Sequence, residues 1–304
     1  MIGVACGCQA TEPVGGKAFL TAKEILAGWQ ASYGDVEPLR VAYSSSLVKP
    51  DPETKYVKHQ HVRRLQRGDR YHIQYSMAED GFARPESMME HAFDGERTRE
   101  YWGNQRDGSI QKGFTFRNVE TKNAVDELLL RHRMRVGKDG ARLLPWFQHI
   151  TTARFPAVPD PELSVAPELE VVAGQPCHRL DIGIPDAIVS DSVWVAHRCG
   201  MMPMRYKRLV RGVVTMEMEV KEMASVKTRG GELWYPVRAV KASAGRERKR
   251  VERVVHVTQF VPHVEASDGD FEFEFPQGTR VVDRVEGTQY VVGSGRKEPL
   301  APAR

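Results

Sequence analysis

The chain has 304 residues, of which 41% are hydrophobic and 28% charged, the balance of an ordinary folded protein rather than of a disordered or fibrous one. Its 44 basic and 40 acidic side chains leave a formal charge of +4, a mixture of signs that argues against a dedicated nucleic-acid surface. No run approaches the roughly 18 apolar residues that a membrane-spanning helix requires.

The N-terminus, Met1-Ile2-Gly3-Val4-Ala5-Cys6-Gly7-Cys8, reads as the end of an export signal whose charged and apolar parts are missing. Val4-Ala5-Cys6 has the small residues that precede a lipidated cysteine, which makes Cys6 the lipidation candidate, although Gly3 stands where leucine is usual. The polar, Gly-containing stretch up to residue 17 then reads as a tether, so 1–17 is expected as signal remnant and tether. A plain cytosolic start with two ordinary thiols is the other reading.

The first regular element is expected over 21–33. Thr21 and Glu24 have capping-box spacing, and Ala22, Ile25, Leu26 and Trp29 recur at helical intervals. After Leu39 the period becomes two. Val41, Tyr43 and Leu47 alternate with small polar residues, and Tyr71, Ile73, Tyr75 and Met77 alternate with His72, Gln74 and Ser76, the pattern of half-buried strands. Gly68-Asp69, Asp94-Gly95 and Gly230-Gly231 supply hairpin turns.

From 119 to 150 the period breaks. Val125, Leu128, Leu129 and Met134 have helical spacing and Leu143-Leu144-Pro145-Trp146-Phe147 follows, so helical or irregular structure is expected there. Repeated prolines make 155–167 a connecting loop. Strand periodicity resumes at Leu169: Val214, Met216, Met218 and Val220 share one face against Thr215, Glu217, Glu219 and Lys221, and Phe271, Phe273 and Phe275 repeat the device. Consecutive hairpins on both sides of the interruption favour one antiparallel sheet, closed or half closed on itself, over two separate sandwiches. The basic run 246–250, Arg-Glu-Arg-Lys-Arg, reads as a solvated turn, with contact to anionic lipid head groups as the alternative.

These elements resemble the LolA/LolB/RseB-like family of outer-membrane lipoprotein carriers and sensors. The likeness is carried by the helix over 21–33, by Leu65-Gln66-Arg67-Gly68-Asp69-Arg70-Tyr71, and by Phe93-Asp94-Gly95-Glu96-Arg97 with Tyr101-Trp102. It continues through Ser192-Val193-Trp194-Val195, Pro203-Met204-Arg205-Tyr206 and Phe273-Glu274-Phe275-Pro276-Gln277-Gly278-Thr279. The resemblance implies a mainly β fold with α: a single curved antiparallel sheet forming an incomplete β-barrel, with helices covering the concave side. It spans 18–293 as one half-barrel domain, with 119–167 as a lid insertion and 294–304 as a disordered tail.

The function so implied is non-enzymatic. Lipid acyl chains or lipoproteins would be shielded in a hydrophobic cavity, in the periplasm or at the outer membrane. A membrane-protein partner and a membrane surface reached through the N-terminal anchor would be further contacts. The cavity candidates are Tyr71, Ile73, Tyr75, Met77, Val214, Met216, Met218 and Val220; the lid candidates are Val125, Leu128, Leu129, Trp146 and Phe147. Flexible methionines suit a guest without fixed shape, and equally suit a filled core. An envelope sensor or interaction module that binds a peptide partner is the alternative.

A hairpin turning within 185–191 would set Cys177 opposite Cys199 at bridging distance, so the two are the disulfide candidate, with free thiols as the other outcome. Cys6, Cys8, His59, His61, His197 and Cys199 have residue types that bind metal but are scattered over unrelated segments without structural-zinc spacing, so neither a metal nor a cofactor is expected. No nucleophile elbow, zinc-binding helix, phosphate loop or dinucleotide fingerprint occurs. His72 and His91 could meet from neighbouring strands, yet nothing in their spacing marks an acid/base pair.

Overall fold

A computed structural model describes residues 20–33, 36–48, 59–68, 70–113, 135–136, 143–144, 162–183, 188–244 and 250–300. Its elements are, in chain order, helix α1 (Ala22–Tyr33) and strands β1 (Leu39–Leu47), β2 (His59–Arg67), β3 (Arg70–Ser76), β4 (Met88–Phe93), β5 (Arg97–Trp102) and β6 (Asp107–Lys112). Then come β7 (Arg135–Val136), β8 (Leu143–Leu144), β9 (Glu162–Val165), β10 (Glu170–Val172), β11 (Gln175–Gly183), β12 (Val189–Ala196) and β13 (Met202–Val210). The last are β14 (Val213–Thr228), β15 (Gly231–Ala244), β16 (Arg250–Val261), β17 (Arg280–Asp283), β18 (Thr288–Val291) and β19 (Lys297–Pro299). The fold is thus mainly β with one short helix, in the open, unclosed sheet topology expected of an incomplete barrel. The chain divides into two compact units, one of residues 1–35 and 123–255, the other of 36–122 and 256–304.

In the first unit, α1 begins where the capping box places it: the Thr21 amide donates to Glu24 Oε2 at 2.8 Å and the Glu24 amide to Thr21 Oγ1 at 3.3 Å. Ile25, Trp29 and Tyr33, one helical turn apart, are buried. The Tyr33 hydroxyl donates to the Trp234 carbonyl on β15 at 2.8 Å. Gly28 lets the helix come close to Met201, because a Cβ there would meet the methionine Cγ at 2.7 Å.

The sheet of this unit runs β11 to β15 by successive antiparallel hairpins, with β9 and β10 side by side along β11. The β13–β14 turn is Arg211-Gly212, with φ of 53° and 74°, the two positive values that a two-residue hairpin of matching twist needs. Leu180, Val193, Tyr206 and Met218 face one another across β11 to β14 and are buried. Each contributes about 1.5–3 kcal/mol by leaving water.

Cys177 and Cys199 are free, buried thiols rather than a disulfide. In the actual register His178 pairs with Val195, which sets Cys177 level with Ala196. Cys199 lies past the end of β12 in a 3-10 turn, His197–Cys199. The expected pairing needed a hairpin turning further along the chain, so the two thiols never become cross-strand partners. Burial pushes the Cys177 thiol up to about 12, which keeps it protonated and inert.

Within 119–150, expected as helical or irregular, the described residues 135–136 and 143–144 form the antiparallel pair β7–β8, Arg135 opposite Leu144 and Val136 opposite Leu143. Val125, Leu128, Leu129, Trp146 and Phe147, the lid candidates, and Cys6, the lipidation candidate, lie outside the described residues.

In the second unit β1 to β6 form an antiparallel meander. The Thr258 hydroxyl on β16 donates to the Ala42 carbonyl on β1 at 3.2 Å. Beyond β6 the sheet is extended by β17, which pairs with it in parallel, and then by the antiparallel β18 and β19. The segment expected as a disordered tail thus carries β19, with Tyr290 opposite Lys297.

Phe271, Phe273 and Phe275 do not form a strand. A 3-10 turn, Asp268–Phe271, capped by Ser267 and Asp270, leads into extended chain that straps the sheet. Asp268 receives Arg67 and Arg70, Glu272 receives Arg99, and Phe273 stacks on His72 with centroids 5.9 Å apart. Hydrogen bonding from Arg67 holds the Asp268 carboxyl below the usual carboxylate range. Alternation arises from extended backbone, whether or not it hydrogen bonds in a ladder, so the same pattern fits a strap.

Candidate functional site

The registers of the second unit line up side chains in rows across its sheet. Ile73 stands opposite His91, His91 opposite Glu100, Glu100 opposite Ser109, and Ser109 opposite Val282. One step along, Tyr75, Met89, Trp102, Asp107 and Arg280 form a second row. On the other side Tyr71, Phe93, Thr98 and Gln111 form a third. Because alternate residues of a strand share a face, all of these project to the side opposite the phenylalanine strap.

At the β1–β3 end this face is closed: Val41, Tyr43, Val62, Tyr71, Ile73 and Tyr75 are each no more than 3% exposed, and Arg64, opposite Val41 and Ile73, is buried among them. Burial pushes the Tyr75 phenol up to about 12, against the lowering pull of Arg64. Toward β5, β6 and β17 the same face turns polar and opens into a pocket of about 240 Å³, lined by Glu100, Trp102, Asp107, Gly108, Ser109, Gln111, Arg280, Val282 and Arg284.

Glu100 and His91 sit where the closed half meets the open one. Glu100 Oε1 lies 3.5 Å from His91 Nδ1, and the two side chains are 5% and 8% exposed. Ser109 Oγ donates to Glu100 Oε2 at 3.4 Å, and His91 meets Trp102 edge-on with centroids 6.0 Å apart. Arg280 donates to both carboxylate oxygens of Asp107, at 3.1 and 3.3 Å, so its fork is occupied. The Arg284 amide donates to the Ile110 carbonyl at 2.8 Å, while its guanidinium, at the exposed rim, has no side-chain partner among the described residues. The wall of the pocket is thus polar, with Glu100 and Ser109 joined to each other and Gln111 and Arg284 beside them.

The cavity candidates fall into both units and do not behave alike. Tyr71, Ile73 and Tyr75 lie on the face just described, whereas Met77 follows the end of β3 and is exposed. In the first unit Met218 and Val220 belong to the buried row, but Val214 is exposed. Val214 and Met216 border a pocket of about 100 Å³ with Ala242, Ala244, Glu217 and Arg250. Near it the exposed Ile188 and Val213 stand at the same end of β12 to β14, where the Arg211 amide donates to the Ile188 carbonyl at 2.6 Å.

His72 and His91 do not meet. His91 is opposite Ile73, so the two histidines are on opposite faces of the sheet, His72 contacting Glu90 at 2.6 Å and the Asp270 carbonyl at 3.0 Å on the strap side. Among the described residues no group of three or more His, Cys, Asp or Glu is placed to hold a metal ion, and no described helix is long and apolar enough to cross a membrane. Sequence reasoning missed the pocket because its walls join residues 173 positions apart, Asp107 and Arg280, through a parallel pairing that no turn signal announces.

No protein-family model matches the chain, and no curated protein does. Among solved structures it is similar to a LolA superfamily protein from Nitrosomonas europaea, at 10% identity and a TM-score of 0.49, over 85% of this chain and 100% of that one. It is also similar to an uncharacterised conserved protein from Thermus thermophilus, at 9% identity and a TM-score of 0.35, over 86% and 99%. A third similarity is to MucB, at 9% identity and a TM-score of 0.29, over 82% and 62%. At these identities and scores the likenesses carry no ligand or partner across, and the functional reading rests on this chain's own residues.

Proposed function

We propose that the protein is an exported, non-enzymatic binder that captures lipid or lipidated protein in the cell envelope. The observation that supports this reading is the exposed Ile188, Val213 and Val214, gathered at one end of β12 to β14 beside the pocket that Val214 and Met216 border. Apolar side chains left in water there suit an amphiphile, whose apolar part gains roughly 25 cal/mol for each Å² removed from water.

Organic extraction of the purified protein followed by mass spectrometry tests the reading. Acyl-bearing molecules are expected in stoichiometric amount. A protein that neither retains nor takes up lipid contradicts it, and one that instead holds a single protein partner independently of lipid turns the reading to peptide capture.

A further inference from the structure

In the first unit the start of β12, the end of β13 and the start of β14 lie side by side, just beyond the ion pair of Asp191 and Arg208. This end of the sheet is apolar on both faces. Val189 stands opposite Val210 and Val210 opposite Val213, while Leu209 stands opposite Val214 on the other face. Of the nine described residues 188–190 and 209–214, six are apolar and one, Arg211, is charged. Ile188, Val213 and Val214 are 57%, 66% and 43% exposed. The Arg211 amide donates to the Ile188 carbonyl at 2.6 Å, and the ladders of β12 to β14 pair the main chain around it, which lowers the cost of taking this tip out of water.

We propose that this hairpin tip docks the protein on an anionic lipid bilayer, with Ile188, Val213 and Val214 entering the interface and Arg211 meeting a lipid phosphate. The Arg211 side chain is exposed and has no partner among the described residues, so its guanidinium is open to an anion. The charge at this end is positive. Ala244 and Arg250 border the same small pocket as Val214, and the residues that join them read Gly245-Arg246-Glu247-Arg248-Lys249, three cations to one anion. Arg250 itself is engaged by Glu252 at 2.8 Å. The acid level with the tip, Glu162 on β9, stands three strands from β13, about 14 Å away and beyond the screening length of about 8–10 Å.

Shape agrees with this assignment. The pocket beside Val214, of about 100 Å³, is below the roughly 300–1,000 Å³ of sites that enclose a ligand, so these side chains are covered from outside rather than by a guest held within. A protein partner packs on one face of a sheet, whereas a fluid apolar phase closes round a tip that is apolar on both. The apolar part is two or three residues of each strand, against the roughly 9–11 that a spanning strand needs, so the tip rests in the interface with Arg211 at the level of the head groups. The inference deepens the lipid-capture reading by naming the bilayer as the surface those exposed residues meet, and rests on that reading only for the cellular setting.

The experiment is co-sedimentation of the full chain with vesicles of mixed phosphatidylglycerol and phosphatidylcholine, beside vesicles of phosphatidylcholine alone. Binding to the mixed vesicles is expected, about tenfold or more stronger than to the neutral ones and weakened by added salt. Ile188→Thr, Val213→Thr and Val214→Thr together keep a branched β-carbon while removing apolar surface and should weaken binding about tenfold; Arg211→Gln should weaken it about fivefold. The urea midpoints stay at the parent value, because all four side chains are exposed. Val213→Thr alone, at the most exposed of the three valine and isoleucine positions, should weaken binding about threefold, so a folding defect in the triple variant leaves the test intact. No binding to the mixed vesicles, equal binding to both kinds, or full binding by the threonine variants would overturn the proposal. A solution dimer that the triple variant abolishes, without vesicle binding, assigns the tip to a second copy of the chain and overturns it equally. Uptake of a fluorescent fatty acid is measured on the same preparation. If uptake persists while vesicle binding fails, this inference alone falls; if both fail, the lipid-capture reading falls with it; vesicle binding without uptake upholds the docking tip and contradicts that reading.

Discussion

Removing the carboxylate of Asp191 should be among the most damaging single changes in the first unit. Asp191 accepts from the Tyr206 hydroxyl at 2.6 Å and from Nε and Nη2 of Arg208 at 2.9 Å each, and the Asp191 and Arg208 side chains are 9% and 13% exposed. Asp191→Ala takes the bidentate partner from a largely buried guanidinium, a loss of about 3–5 kcal/mol, within which the Tyr206 hydroxyl accounts for roughly 1–3 kcal/mol. Set against a total stability on the order of 5–15 kcal/mol, and with a urea dependence of about 1–3 kcal/mol per molar, the midpoint should fall by roughly 2 M. Urea unfolding followed by tryptophan fluorescence reads this directly. Asp191→Ala combined with Arg208→Met should recover most of the loss, because the damage lies in the deserted charge rather than in the missing attraction. A single-variant loss below about 1 kcal/mol, or a double variant no better than the single, would refute the reasoning.

The remaining expectations follow from other parts of the fold. Alkylation of the unfolded, unreduced protein should label both Cys177 and Cys199, which are free and buried; peptide mapping that finds them joined would restore the disulfide. His178 and His197, whose rings are 5.3 Å apart, are both pushed down, first by burial and then by His197 and Arg198 respectively. The unfolded chain, with histidines near 6.5, therefore binds protons that the folded chain refuses. Stability should be complete above about pH 6.5 and fall as the pH drops below it, and His178→Gln with His197→Gln should flatten the dependence of the urea midpoint on pH between 7.5 and 5. Beneath the strap, Gly108→Ala on β6 places a Cβ at 2.5 Å from Phe275 Cε1 and should cost about 1–3 kcal/mol by overpacking. An unchanged melting temperature would show that Phe275 does not rest on that glycine.

Much of the fold is legible wherever local chemistry decides structure. The Thr21–Glu24 box marks the start of α1 and closes as expected. The alternation of Tyr71, Ile73 and Tyr75 marks β3, and these side chains are the buried ones. Legibility fails where partners at long range decide. The phenylalanine alternation at 271–275 has the period of a strand, but the ladder it would need is replaced by ion pairs from Arg67, Arg70 and Arg99. The cysteine pairing depends on where one hairpin turns, and a shift of register removes it. The pocket depends on β17 reaching β6 in parallel, so Glu100, Ser109 and Arg284 carry no motif that sequence spacing could reveal. Met77 joins the buried face only if the alternation is extended past Ser76, where β3 ends.

Capture of an acyl-bearing molecule is the claim on which the functional account turns, and a titration tests it most directly: the purified, delipidated full chain against a fluorescent lipopeptide and the same peptide without its acyl chain. Saturable binding of the acylated form, displaced by unlabelled lipid and absent for the bare peptide, is the predicted result. Equal binding of both peptides, or of neither, would contradict it.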